Sequence, residues 1–510
     1  MTHPPTPPIA IDTTAAHAWF DTTRVPVDGA TLDRLRATGA DVLVDDATIV
    51  ESSRDWWPLL MTRASIAQVG QLASAIVRPS SADQVPAILR ICDGEHLPVT
   101  TAGGRSGVVG GAVPLFGGVL LDLSDLRGIR SVDATSGIVD VACGTFGDEL
   151  EAELRSEHGL TVGHWPQSIA LATVGGWLAC RGAGQLSNRY GTIADLVIGL
   201  DAVLADGTTL TTGGWSHRST GPDLEQLLIG SEGTLAVLTA ARLLARPVPV
   251  AEHRSAWALP SFDAGVEVCR RIARRGPSPA ALRLYDAAEA DRNWGTGGDA
   301  ILLAFDEGDP VTVAATERLT IEECADARRL DDDLVERWWE HRNDVRALEA
   351  LVSRGFMVDT LELSARWSDV PTLYVQVRDA IASVPGIAAS TAHLSHSYPD
   401  SACLYFTFAG RPAAGDAGPD AVAALSLETW RRGTVAALAA GGSLSHHHGI
   451  GLNRGRFLAD ALGPGAFDAL GRIKQALDPN GILNPGKLGL PSPFGSIPSL
   501  LDVDTPGAST

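Results

Sequence analysis

A chain of 510 residues with 40 basic against 61 acidic side chains carries a formal charge of −21, which opposes binding to nucleic acid or to an anionic membrane surface and favours a small-molecule partner. The length exceeds what one hydrophobic core usually serves, so more than one domain is expected. Six dispersed cysteines without a Cys-x-x-Cys pair argue against a dense disulfide framework or a structural zinc site, and no apolar run of about 18 residues is present to cross a bilayer.

The opening "MTHPPTPPIAIDTT" has no basic stretch followed by an apolar one, and Ala508, Ser509 and Thr510 form no peroxisomal address, so a cytoplasmic location is expected. Residues 1–63 read as an N-terminal extension with a loose Pro/Thr-rich start, and 491–510 as a disordered Pro/Ser/Gly tail. From 64 to 247, short apolar runs alternate with glycine clusters. The pattern predicts a helix from about Ala82, a strand at Pro98–Thr101, a glycine loop and a strand at Val119–Leu123. In a dinucleotide-binding βαβ unit the glycines open a helix, whereas "AGGRSGVVGGAVP" runs through Pro114 into another apolar segment, and the Gly-Lys-Ser/Thr of a P-loop is absent. What remains is a loop of bare amides at Gly103, Gly104, Gly107, Gly110 and Gly111, suited to close approach by a pyrophosphate.

Phe146, Leu150 and Leu154 predict a helix to about Glu157. "VIGLDAVLADGTTLTT" predicts a hairpin turning at Asp206-Gly207, and a short helix capped near Thr220 leads to a strand ending before Pro247. Residues 248–425 carry longer, more charged segments, including "RWWEHRND" and the strands "ALRLYD" and "ACLYFTFAG", and read as a second domain with a loose excursion at "GRPAAGDAGPD". A helix over about Ala421–Ala440 ends at Gly441-Gly442, and a last segment, 426–490, returns toward the first domain through "GGSLSHHHGIG".

Taken in order, "ATVGGWLACRGAGQLSNRYGTIADLVIG", "STGPDLEQLLIGSEGTLAVLT", "SLSHHHGIG" and "LDPNGILNPGKL" resemble flavoproteins of the vanillyl-alcohol oxidase type, within them most of all the alkyldihydroxyacetonephosphate synthase family and next the D-lactate and glycolate dehydrogenases. The resemblance implies an α+β fold: a two-subdomain FAD-binding (PCMH-type) domain with an α+β cap. It implies pyrophosphate on Ala102, Gly103, Gly104, Arg105, Ser106, Gly107, Gly110 and Gly111, a flavin lined by Pro166, Gln167, Ser168 and Thr173, and further backbone contacts from Gly175, Gly176, Arg181, Glu232, Gly233 and Thr234, with His446 and His448 placed to hydrogen-bond backbone or flavin. Val108 and Val109 come after Gly107 where covalently tethered relatives carry a histidine, so noncovalent FAD is expected. Relatives are commonly dimers, which makes a homodimer an expectation.

The resemblance maps catalytic positions to His164, Arg283, Tyr405 and His447, while the phosphate-holding arginine of the synthase family falls at Leu348, with Arg346 and Arg354 nearby. Elementary chemistry suits these residue types. An imidazole exchanges protons near neutrality, and a guanidinium grips carboxylate or phosphate. Tyr405 alternates with Leu404 and Phe406 on a strand and needs a cationic neighbour, such as protonated His447, to act as a base. His393 and His396, spaced i, i+3, raise a metal pair only weakly because the His-x-Gly-Asp-Gly-Asn run of D-lactate-type relatives is missing, and no metal is expected. Trp338 and Trp339 read as cap packing.

Three functions stand as expectations. The first is a synthase-like exchange at flavin N5 on a small ketone, in which a carboxylate leaves and an alcohol replaces it without net redox change. The second is oxidation of a hydroxy acid or alcohol, with Arg283 on the carboxylate and His447 taking the proton. The third is a non-catalytic flavin carrier.

Overall fold

A computed structural model describes residues 9–276, 278–344, 351–412 and 418–501. Its elements are built where short β-branched runs meet glycine turns. β1 (Asp41–Leu43), β2 (Ala75–Arg78), β3 (Val99–Ala102) and β4 (Val119–Asp122) form a four-stranded sheet in the order β1-β2-β4-β3, with β2, β4 and β3 parallel and β1 antiparallel at the edge. Parallel strands need a crossover, and helix α1 (Val85–Gly94) supplies it, entered through a Ser81 capping box and Pro86 in its first turn. Its Ile88, Leu89 and Cys92 are fully buried against Val99 and Val119.

A second sheet of five antiparallel strands is formed by β5 (Ile129–Asp133), β6 (Ile138–Ala142), β7 (Val197–Val203), β8 (Thr209–Thr211) and β9 (Val237–Leu244), in the order β8-β7-β9-β6-β5. The hairpin expected at Asp206-Gly207 joins β7 to β8, Gly207 holding the positive φ of 80° that the turn requires. Helices α2 (Gly147–Glu153) and α3 (Val174–Cys180) cover this sheet. The helix expected to reach Glu157 is α-helical only to Glu153 and continues as a π-turn to His158, because Gly159 adopts the left-handed conformation that ends it. The short helix placed near Thr220 begins instead at Leu224, capped by Asp223, whose carboxylate accepts the Gln226 amide at 3.0 Å.

The cap is one seven-stranded antiparallel sheet. β10 (Ala251–Leu259), β11 (Ala281–Tyr285), β12 (Ala300–Gly308), β13 (Arg328–Leu330), β14 (Met357–Arg366), β15 (Ile387–Ser397) and β16 (Ser401–Gly410) lie in the order β13-β10-β12-β11-β15-β16-β14. One face is covered by α4 (Phe262–Arg274), with α7 (Val370–Ala382) and α8 (Pro419–Ala439) beside it, burying Leu284, Leu361, Leu404, Phe406 and Trp430 in one large core. α5 (Ala287–Trp294) and α6 (Asp333–His341) pack on other parts of the cap.

Two expected boundaries fall inside packed units. β1, from the supposed extension, completes the first sheet, and residue 425 lies within α8. The supposed tail is also packed over its first part, since Leu501 is buried with Phe20 and Phe116 and removes apolar surface from water; residues 502–510 lie outside the described residues, as do 1–8. The excursion at 410–420 is described only at its ends, 413–417 lying outside. After α8 the chain returns to the first sheet, where the Val99 amide donates to Ile482 O at 2.8 Å and Asn484 Nδ2 donates to Gly111 O at 3.0 Å. Among the described residues no helix is long and apolar enough to cross a membrane.

Candidate active site

A cavity of about 1040 Å³ opens between the two sheets of the first unit and the polar face of the cap sheet. On one wall, the glycine loop after β3 lies against the segment preceding α3. A Cβ on Gly104 would overlap the Leu171 carbonyl, and one on Gly103 would overlap the Thr173 hydroxyl. The loop is pinned from behind by Asp55, whose carboxylate accepts the Trp57 amide at 3.2 Å and interacts with the Gly110 and Ala112 amides. Burial raises the Asp55 carboxyl to about 7. The amides of Gly103, Gly104, Ser106 and Gly107 donate to no acceptor among the described residues, an unusual state for backbone N–H groups and one that suits phosphate oxygens.

Deeper in, His164 is fully buried with both ring nitrogens unpaired, 4.6 Å from Trp177, whose indole N–H is unpaired as well. Burial lowers the His164 imidazole to about 3, so it is neutral. Bare amides followed by apolar walls and orphaned polar atoms fit the diphosphate and ring of FAD.

The histidine run forms the opposite side, and Glu362 on β14 explains its shape. The amides of His446, His447 and His448 donate to a single oxygen, Oε1, at 3.2, 3.1 and 2.8 Å, and the Ser445 hydroxyl adds 2.6 Å. The second oxygen pairs with Arg454, which is as fully buried as Glu362 itself. Burial by itself would raise the Glu362 carboxyl; the Arg454 guanidinium and the donors around it reverse this and hold it well below the usual carboxylate range. Glu232 clips the next turn, its carboxylate accepting the Ile450 amide and, at 2.7 Å, the Gly451 amide.

Burial favours the neutral form of each imidazole of the run. It lowers His446 to about 4 and His447 well below its ordinary value, the latter helped by His448 and opposed by Glu362. His446 and His447 share a hydrogen bond between their Nδ1 atoms at 2.8 Å, and Nε2 of His447 is bonded to nothing among the described residues. His396 joins them, stacked 4.6 Å from His446 with its Nδ1 2.7 Å from the Ser187 hydroxyl. Nitrogens of His396, His446 and His447 lie within 4.8 Å of one another.

Tyr405 lines the cavity from β16, its oxygen accepting the Thr360 hydroxyl at 3.1 Å. Burial raises its own hydroxyl. Burial disfavours charge on the His447 ring, 6.2 Å away between centroids, and the cation that favours ionisation of Tyr405 is Arg283. Arg283 lines the same cavity, its side chain 5.1 Å over the Trp338 ring and its Nε unpaired. Trp338 therefore forms part of the wall, while Trp339 packs on Phe305 at 4.2 Å.

Of the residues singled out from sequence, His164, Arg283, Tyr405 and His447 share this cavity, along with Ala102–Gly107, Gly111, Pro166, Gln167, Ser168, Thr173, Gly175, Gly176, Glu232, Gly233 and His448. Four others lie outside its wall. Gly110 packs on Trp57, Arg181 turns away to Gln226 Oε1 at 2.6 Å, and the Thr234 hydroxyl closes its own turn on Ser231 O. His446 is held by the Tyr398 hydroxyl at 2.9 Å. Leu348 and Arg346 lie outside the described residues.

The sequence reading missed Glu362, Arg454, Glu289 and the placement of His393 and His396. On a regular strand, i and i+3 point to opposite faces. A bulge between Leu394 and His396 pairs His393 with Tyr405 and His396 with Cys403, which turns both imidazoles to the cavity.

The loop architecture is testable. Gly104→Ala should force the two loops apart, at a cost of roughly 1–3 kcal/mol, and purified protein should have lost most of its visible flavin absorbance. Gly107→Ala, whose Cβ would meet nothing within 4 Å, should still fold.

A glycine loop between two α+β subdomains, with the Gly103, Gly104, Ser106 and Gly107 amides unpaired among the described residues and an antiparallel cap sheet as its roof, defines a PCMH-type FAD-binding flavoprotein. Similarity to known proteins agrees. The FAD binding domain family matches residues 73–213, and the family of FAD linked oxidases, C-terminal domain, matches 248–488. An uncharacterized FAD-linked oxidoreductase, YgcU, of Escherichia coli (strain K12) is 30% identical over 90% of this chain and 98% of its own. Alkyldihydroxyacetonephosphate synthase of Trypanosoma brucei brucei is 27% identical over 86% of this chain and 76% of its own. A crystal structure of an alkyldihydroxyacetonephosphate synthase superposes with a TM-score of 0.77 at 22% identity, covering 95% of this chain and 90% of that one. The chain belongs to the FAD-linked oxidase family, and its cofactor is FAD.

Proposed function

We propose that the protein is an FAD-dependent oxidoreductase that dehydrogenates a small hydroxy acid or related alcohol. FAD, when bound, supplies the acceptor for two electrons. The observation that carries the reading is the position of His447, held through its amide by Glu362 in the cavity wall with Nε2 unpaired among the described residues. A base must be deprotonated before the substrate arrives, and burial favours this for His447. Arg283 takes the substrate's acidic group, the hydroxyl proton passes to His447, and a hydride leaves the carbon between them as the carbonyl forms. His164 offers an uncharged hydrogen-bond partner beneath the ring site. With valines at 108 and 109, noncovalent contacts hold the cofactor.

A second reading, exchange of a carboxylate for an alcohol as the synthase-like resemblance implies, is favoured by the presence of Tyr405, His447, Arg283 and His164 in one cavity. It ranks lower because burial outweighs the Thr360 hydrogen bond and the Arg283 charge that favour ionisation of Tyr405, leaving its hydroxyl raised. The two separate in one experiment. Under anaerobic conditions a panel of 2-hydroxy acids should bleach the bound flavin lastingly; lasting bleaching by none of them, together with turnover of a ketone substrate without net redox change, would overturn the first reading in favour of the second.

A further inference from the structure

We propose that Arg283, His393 and Glu289 form an anion clamp that takes up one proton as it closes on the substrate's acidic group. The inference rests on Arg283 as the anchor and adds how the anchor recognises charge.

Arg283 Nη1 lies 3.4 Å from His393 Nε2. A guanidinium has only donors, so this contact presents a lone pair at Nε2 and leaves the ring hydrogen on Nδ1, which is 3.1 Å from Glu289 Oε1. Glu289 is fixed in turn. It is buried on the first turn of α5, its amide donates to Asp286 Oδ1 at 2.8 Å, and its Oε2 accepts the Thr391 hydroxyl at 3.1 Å. The His393 ring is sandwiched between Tyr285 at 4.9 Å and Tyr405 at 5.0 Å, so it is not free to turn aside. Arg283, Tyr285, Glu289, His393 and Tyr405 all line the cavity.

An oxyanion bonded to Arg283 displaces the weak arginine–histidine contact and sets its own lone pairs against that of Nε2. Two facing acceptors repel. A proton on Nε2 turns the ring into a second donor and places the imidazolium between the ligand's charge and that of Glu289. The other charged or titratable groups facing the ring are Arg292 of α5, 3.4 Å from the same Glu289 oxygen, Tyr285 of β11, Tyr405 of β16 and His396 on its own strand. Arg292 competes for Glu289 but is partly exposed and screened. The ligand chemistry is a carboxylate or a phosphate oxyanion.

The test uses the holoprotein with two unreactive probes, propionate and inorganic phosphate, read by the perturbation of the flavin spectrum between about pH 6 and 9, where imidazoles titrate. Binding is coupled to proton uptake, so affinity is highest at low pH and should fall by up to about tenfold per unit as pH rises. Calorimetry in two buffers of different ionisation enthalpy should show uptake of about one proton per bound ligand. Propionate does not titrate in that range and gives the deciding arm; tighter binding of phosphate would assign a phosphoryl head group, tighter binding of propionate a carboxylate. Glu289→Gln and His393→Gln should flatten the pH dependence and abolish the uptake while retaining FAD, and Arg283→Met should lose both probes. Wild-type binding without pH dependence or proton uptake, or binding indifferent to Arg283→Met, would overturn the clamp. Because the readout is binding, the clamp can fail while hydroxy-acid oxidation stands, and the reverse.

Discussion

Replacing Glu362 by alanine is expected to destabilise the protein by about 3–5 kcal/mol, the range for breaking a buried ion pair by removing one partner. The cost arises because Arg454, with no exposed surface, would keep its charge without a counter-ion. The amides of His446, His447 and His448 would lose their common acceptor at the same time. Arg454 is further enclosed by the Trp430 ring at 5.1 Å, whose N–H donates to Asp359 at 2.8 Å, so the damage should spread into the cap core. Urea unfolding monitored by tryptophan fluorescence would measure it. The double variant Glu362→Leu/Arg454→Met should be more stable than Glu362→Ala, since neither charge remains, yet should still lack an ordered histidine loop and activity. Destabilisation of Glu362→Ala below about 1 kcal/mol, the value typical of a surface pair, would show that the pair does not organise the loop. The pH dependence has a definite sign. The folded Glu362 carboxyl titrates below its ordinary 4.5, so its contribution is present above that pH and is lost as pH falls toward the folded value. Acid should therefore release the histidine loop only well below pH 4.5.

The second large effect concerns His447. If it takes the substrate proton, His447→Asn should lower kcat by roughly 10²–10⁴-fold, the usual contribution of a positioned general base, with FAD retained. Tyr405→Phe should cost far less, because its hydroxyl is raised by burial and is already engaged by Thr360. The synthase-like reading reverses this order. The rate profile also carries a signature. With His447 held well below its ordinary 6.5 by burial, the acid limb of kcat/KM should lie below that value. An acid limb at or above it would mean that the base is another group or that the site is far more hydrated than the structure shows.

Much of the cofactor side was legible in the chain because it depends on local rules. The glycine loop could be separated from a dinucleotide or P-loop because it leads through Pro114 into an apolar segment rather than a helix, and the amides of Gly103, Gly104, Ser106 and Gly107 find no acceptor among the described residues beside the segment before α3. Residues whose period is fixed by a regular strand were also readable. Leu404 and Phe406 sit in the core while Tyr405 faces the cavity, and Leu282 and Leu284 likewise leave Arg283 facing it. The side chain of Arg181, a residue expected to contribute through its backbone, is turned to Gln226 by the left-handed φ of 54° that follows α3.

The amino-acid order by itself determined the family and the cofactor and supplied the candidate acid–base side chains, because each depends on residue type and on spacing within a few positions. Tertiary structure alone decided their charge states and their aim. Glu362, 85 positions before His447, gathers the amides of three histidines on one buried oxygen, and a single extra residue in β15 turns His393 and His396 to the same face. Desolvation and strand register come from what packs against a residue, and neither is written in its neighbours along the chain.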